Sequence, residues 1–107
     1  MKQLLKESLI QQVWEKSKII ENLDPNVWRL DECGAYIKRD EYGKISEFGW
    51  EIDHVKPKSK GGSDELFNLQ PLHWENNRAK SNGDGYPKVR FENDHNRVID
   101  FYNILFV

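Results

Sequence analysis

Apolar positions follow a helix period at the start of the chain and a period of two further on. Leu5, Leu9 and Val13 recur at four-residue steps, joined by Ile10, Trp14, Ile20 and Leu23, with Lys and Glu on the other face. This spacing predicts an amphipathic helix over about residues 3–23, stopped at Asp24-Pro25-Asn26 because Pro25 cannot continue the ladder. Its expected role is to cover one side of a small sheet, with a dimerising face as the alternative. Residues 34–39 read as a short strand, followed by a turn over residues 40–44. Between residues 48 and 54 the alternation puts Trp50 and Ile52 on one face of a strand and Glu51 and Asp53 on the other. A polar loop with Pro57 and Gly61-Gly62 leads to a short returning strand at 69–72, which Pro71 marks as brief or at an edge. Residues 73–80 read as a helix, with Lys80 in its last turn and Ser81-Asn82-Gly83 as the stop. Two extended segments, 88–92 and 97–106, are expected to flank a turn at 93–96, with a helix carrying Ile99, Phe101, Ile104 and Phe106 as the alternative for the second.

The chain has 107 residues, which sets one small α+β domain with a thin core. Its 13 aromatics argue against disorder. A net charge of −2 excludes a wholly basic footprint, but the distribution is uneven. Residues 31–55 carry seven acids against three Lys/Arg, whereas residues 56–97 carry eight Lys/Arg against six acids. Lys56, Lys58, Lys60, Arg78 and Lys80 lie in the second group and are candidates for phosphate contact. One cysteine, Cys33, excludes a disulfide within the chain and a four-cysteine zinc site. It suits a reducing, cytoplasmic compartment. The N-terminus lacks the apolar run of a secretion signal and no stretch approaches a membrane span, so a soluble, non-exported protein is expected.

The segment from Trp50 to Lys80 carries the chemistry. Phosphodiester hydrolysis needs a base for the attacking water and positive charge for the phosphate and the leaving oxygen. A neutral histidine is the natural base near neutral pH, and a hard divalent cation held by oxygens serves the other needs. His54 is the candidate base. Asp53 supplies a carboxylate and Asn77 an amide oxygen, which leaves most of a Mg²⁺ shell to water and phosphate. Adjacent strand residues face opposite ways, so Asp53 and His54 share a site only because the strand gives way to a loop there. Asn68 is expected to hold that loop and the His54 ring. His73 lies four residues before Asn77, on the same helix face, which makes it a third candidate for the metal, although a core or capping role is the favoured reading. Glu51 reads as a solvent-facing carboxylate.

Taken together, Asp53-His54-Val55-x-Pro57, Lys60-Gly61-Gly62-Ser63, Asn68-Leu69-Gln70-x-Leu72 and Asn77-x-x-Lys80 resemble the HNH endonucleases, over about a third of the chain. The resemblance implies a ββα-metal (His-Me) finger over about residues 48–81, with the N-terminal helix and small flanking strands added and residues 82–107 as a C-terminal extension. It implies DNA hydrolysis to 5′-phosphate ends with one divalent ion, Mg²⁺ or Mn²⁺ or another; the choice of DNA over RNA rests on the resemblance alone. It implies His54 as general base, Asn68 as the residue that orients it, and Asp53 and Asn77 as metal ligands. Many small members carry two cysteine pairs around this core. Here the second pair would fall at His73 and Asn76 and the first near Cys33, so no structural zinc is expected; packing by Trp50, Trp74 and the N-terminal helix is expected in its place. A non-catalytic module on the same fold and a toxin or defence effector are the competing readings. One site cuts one strand, so a double-strand break requires a homodimer, a larger complex or two visits.

Overall fold

The computed structural model describes residues 2–83 and 85–99. Helix α1 spans Lys2–Trp14 and ends well short of the predicted residue 23. Lys16 N and Ser17 N turn back onto the carbonyls of Val13 and Trp14, and Ser17 Oγ donates to Trp14 O at 2.6 Å. Arg29 then takes up exposed helix-end carbonyls, donating to Glu15 O at 3.1 Å and Ser17 O at 3.2 Å, with its guanidinium 5.8 Å from the Trp14 ring centre. These contacts satisfy carbonyls that the helix end leaves without partners. Ile20 and Leu23 therefore fall outside the helix. Of the predicted apolar face only Ile10, Val13 and Trp14 are buried within α1, while Leu5 is 68% exposed.

The chain leaves α1 as β1 (Lys18–Ile19), which pairs antiparallel with β2 (Trp28–Leu30), which in turn pairs with β3 (Tyr36–Lys38). Strand β4 (Trp50–His54) pairs antiparallel with β5 (Leu69–His73), setting Asp53 opposite Gln70 and His54 opposite Leu69. Helix α2 (Trp74–Asn82) follows β5 directly. The molecule is thus α+β with a ββα unit at its centre, and the predicted strand, loop, strand, helix order holds. A last hairpin joins β6 (Val89–Glu92) to β7 (His95–Val98). The part of the predicted final strand beyond residue 99 lies outside the described residues.

The alternation in β4 sorts its two faces. Trp50 is fully buried among Ile10, Val13, Trp14, Ile37 and Leu69, and Ile52 packs against this cluster. Glu51 and Asp53 turn the other way, onto α2. The hydrophobic core therefore fixes the strand, and the strand presents its carboxylates to the helix.

A buried polar hub ties the layers together beside this core. Asp31 Oδ1 accepts from the backbone of Cys33 and Ala35, and Oδ2 accepts from His73 N and Asn76 Nδ2, each at 2.9–3.0 Å. Asn76 also accepts from Lys88 N and Val89 N and donates to Val89 O. The hub joins the turn before β3, the start of α2 and β6. Hydrogen bonds, rather than the predicted tryptophan packing alone, hold the region around Asp31, His73 and Asn76.

Candidate active site

One open cavity of about 510 Å³ lies between the end of β4, the following loop and α2. Asp53, His54 and Asn77 all line it, with Pro57, Lys58, Lys60, Lys80 and Ser81 among its other walls. Asp53 is 7% exposed. Its Oδ2 accepts from Lys80 Nζ at 2.6 Å and from Gln70 Nε2 at 2.8 Å. The register that sets Gln70 opposite Asp53 supplies the second bond. Oδ1 has no hydrogen-bond partner among the described residues. Asn77 Nδ2 donates to Glu51 Oε1 at 3.0 Å, which directs the amide nitrogen to Glu51 and frees the oxygen. Glu51 also meets Arg78 at 3.4 Å, so it is a tether for α2 rather than the solvent-facing carboxylate expected.

The loop after β4 closes on itself. Asn68 accepts from Lys56 N at 2.8 Å and donates to Lys56 O and Ser63 O at 3.0 and 2.8 Å. It holds the loop and has no hydrogen bond to the His54 ring among the described residues. Gly62 passes so close to the chain that a Cβ there would lie 1.7 Å from the Lys56 carbonyl oxygen, so only glycine fits. The ring itself is met by Asp64: His54 Nε2 lies 2.8 Å from Asp64 Oδ1, and Lys58 Nζ lies 3.1 Å from Asp64 Oδ2. These two hydrogen bonds, from His54 first and then Lys58, hold the Asp64 carboxyl below its ordinary range.

The family model that matches the chain is that of the HNH endonucleases, over residues 32–83. This segment belongs to the HNH family. No curated protein and no solved structure matches the chain. HNH domains bind nucleic acid and generally depend on a divalent metal. The matched segment contains every residue of the cavity wall named above.

For two residues of the HNH domain the geometry favours one of the two readings the sequence offers. His73 is 1% exposed and both ring nitrogens are engaged, Nδ1 accepting from Glu75 N at 3.1 Å and Nε2 facing Glu47 O at 2.8 Å. It caps α2 and is not available to a metal in the cavity. Burial pushes its imidazole below the ordinary value, which matches a neutral ring donating from Nε2. Lys80, expected to contact phosphate, spends its three N–H bonds on Asp53 Oδ2, His54 O and Val55 O. It pins the end of β4 to α2.

Of the other basic candidates, Lys58 and Lys60 line the cavity, while Lys56 and Arg78 do not. Arg78 sits over the Trp74 ring at 5.2 Å. Lys56 and Lys60 form no ion pair among the described residues and are exposed. Burial and the nearby Asp31, Glu32 and Asp53 carboxylates push the Cys33 thiol up, so it stays protonated and is a poor metal ligand. Among the described residues no three His, Cys, Asp or Glu side chains gather as a metal site. Asp53 and Asn77 together offer a set of two oxygens, which fits a hard cation that keeps several waters. Sequence reasoning misses Gln70, Glu51 and Asp64 as site residues. The opposed register signals Gln70, and Asp64 opens an Asp-Glu pair that closes a lysine-rich loop.

Proposed function

We propose that this HNH domain is a metal-dependent endonuclease that hydrolyses DNA phosphodiester bonds. The observation that carries the reading is that His54, Asp53 and Asn77 line one open cavity, with one oxygen of Asp53 and one ring nitrogen of His54 lacking a hydrogen-bond partner among the described residues. Asp53 and Asn77 would hold one divalent ion, with Mg²⁺ favoured by an oxygen-only set. That ion, when bound, supplies positive charge to the phosphate and the leaving oxygen.

This chain's residues do the rest. His54 Nδ1 takes a proton from the attacking water as the water oxygen bonds to phosphorus. The bond to the sugar oxygen breaks and that oxygen leaves to be protonated. Asn68 holds the loop, and Lys80 and Gln70 hold Asp53 in one rotamer. Lys60, and Lys58 beside it, provide positive charge for the backbone of the nucleic acid. The lone cysteine suits a reducing, cytoplasmic setting. No helix is long and apolar enough to cross a membrane among the described residues.

A non-catalytic nucleic-acid-binding module is the second reading. The Lys80 ammonium on Asp53 favours it, because a fixed positive charge there opposes a metal ion. Supercoiled plasmid incubated with Mg²⁺, with Mn²⁺ and with chelator separates the two. Nicking in either metal and none with chelator supports the nuclease. Folded protein that retains plasmid but leaves it uncut under every condition supports the binding module.

A further inference from the structure

We propose that Asp64 is a positioning residue that holds the His54 ring as the Nε2–H tautomer, leaving Nδ1 as the proton acceptor. The proposal rests on the general-base role given to His54 above. His54 lines the cavity and Nδ1 has no partner among the described residues, whereas Nε2 lies 2.8 Å from Asp64 Oδ1. A carboxylate accepts hydrogen bonds and does not donate them, so the proton sits on Nε2. A neutral imidazole carries one N–H, which leaves the lone pair on Nδ1.

The carboxylate is fixed rather than adrift. Its second oxygen takes Lys58 Nζ at 3.1 Å, so both oxygens are committed within one loop. The residue before it is anchored through Asn68 Nδ2 to Ser63 O at 2.8 Å, and Ser63 Oγ accepts from Glu65 N at 3.1 Å. Gly62, which tolerates no side chain, sets the approach. Asn68 thereby acts on the ring through the loop and Asp64 rather than through a hydrogen bond of its own. The Asp64 side chain is 69% exposed, so an ordinary surface ion pair of no consequence is the result to beat.

Long-range ¹⁵N NMR on the whole chain, at a pH where the imidazole is neutral, reads the tautomer directly. Wild type is expected to show His54 as the Nε2–H form. Asp64→Ala is expected to show a tautomer mixture, and Asp64→Asn, whose amide oxygen still accepts, is expected to keep most of the Nε2–H form. In plasmid cleavage, Asp64→Ala should lower kcat about 10-fold or more with KM and Mn²⁺ affinity within twofold, and Asp64→Asn should recover part of it. An unchanged tautomer in Asp64→Ala overturns the proposal. So does a large loss of Mn²⁺ affinity, which would make Asp64 a metal ligand. If wild type shows the Nε2–H tautomer and Asp64→Ala loses it, yet wild type cuts nothing, the cleavage reading fails and the hold of Asp64 on the ring stands.

Discussion

Lys80 and Asp53 set the character of the site at the scale of single residues. A carboxylate 7% exposed must be compensated, and the Lys80 ammonium at 2.6 Å compensates it. Replacing Lys80 by Met leaves that charge with Gln70 alone. Chemical denaturation should show a loss of about 3 kcal/mol, since breaking one side of a buried pair strands the other. A loss below about 1 kcal/mol would assign the pair to the surface class. Asn68→Ala removes three bonds that hold the loop and should slow cleavage roughly 100-fold while sparing Mn²⁺ affinity, as expected when a catalytic group is displaced rather than deleted. Calorimetric loss of Mn²⁺ binding in that variant would instead make Asn68 a ligand. The gathering of Asp53, His54 and Asn77 at one cavity is legible in the sequence, because their types and spacing mark the segment. The occupation of Lys80 by three oxygens is not, because two of them are backbone carbonyls that composition and spacing do not mark.

Elements position these residues through local rules and distant partners. The β4 alternation and the α2 stop at Gly83, with φ 72°, are readable locally. The end of α1 is not, because Arg29, which caps it, arrives from β2, beyond a separate strand and turn. Nor is the Asp31–Asn76 hub, which joins three separate elements. Asp31→Ala should cost about 3 kcal/mol, because it strips acceptors from buried donors on His73, Asn76, Cys33 and Ala35. A variant as stable as wild type in urea would show that water or relaxation replaces the hub. His73 at the start of α2 gives a pH test. Its folded value lies below the unfolded 6.5, so below about pH 6.5 the unfolded chain binds a proton that the native ring refuses. Stability is therefore full above that value and falls as pH drops through it. The slope of unfolding free energy against pH should flatten in His73→Gln; an unchanged slope would remove His73 from the account.

The whole molecule carries a net charge of −2, and the loop after β4 carries Lys56 and Lys60, exposed and without an ion pair among the described residues. Lys58, Arg78 and Lys80 are each paired to a carboxylate, while Lys56 and Lys60 have no such pair among the described residues. Binding should therefore be weak, with a shallow dependence on salt. The double change Lys56→Ala, Lys60→Ala should reduce the slope of log affinity against log salt by about 2, one unit for each lysine withdrawn from a phosphate. A slope that stays unchanged in fluorescence anisotropy would move the interface elsewhere. A single cavity serves one strand at a time, so nicked circles should precede linear plasmid. The central claim is that His54 is the base for hydrolysis at this site. Its most direct measurement is the cleavage rate of His54→Ala beside wild type at saturating Mn²⁺, with Mn²⁺ affinity read on the same samples. The account predicts a fall of roughly 100-fold or more in rate with affinity unchanged. Cleavage by His54→Ala at the wild-type rate would contradict it.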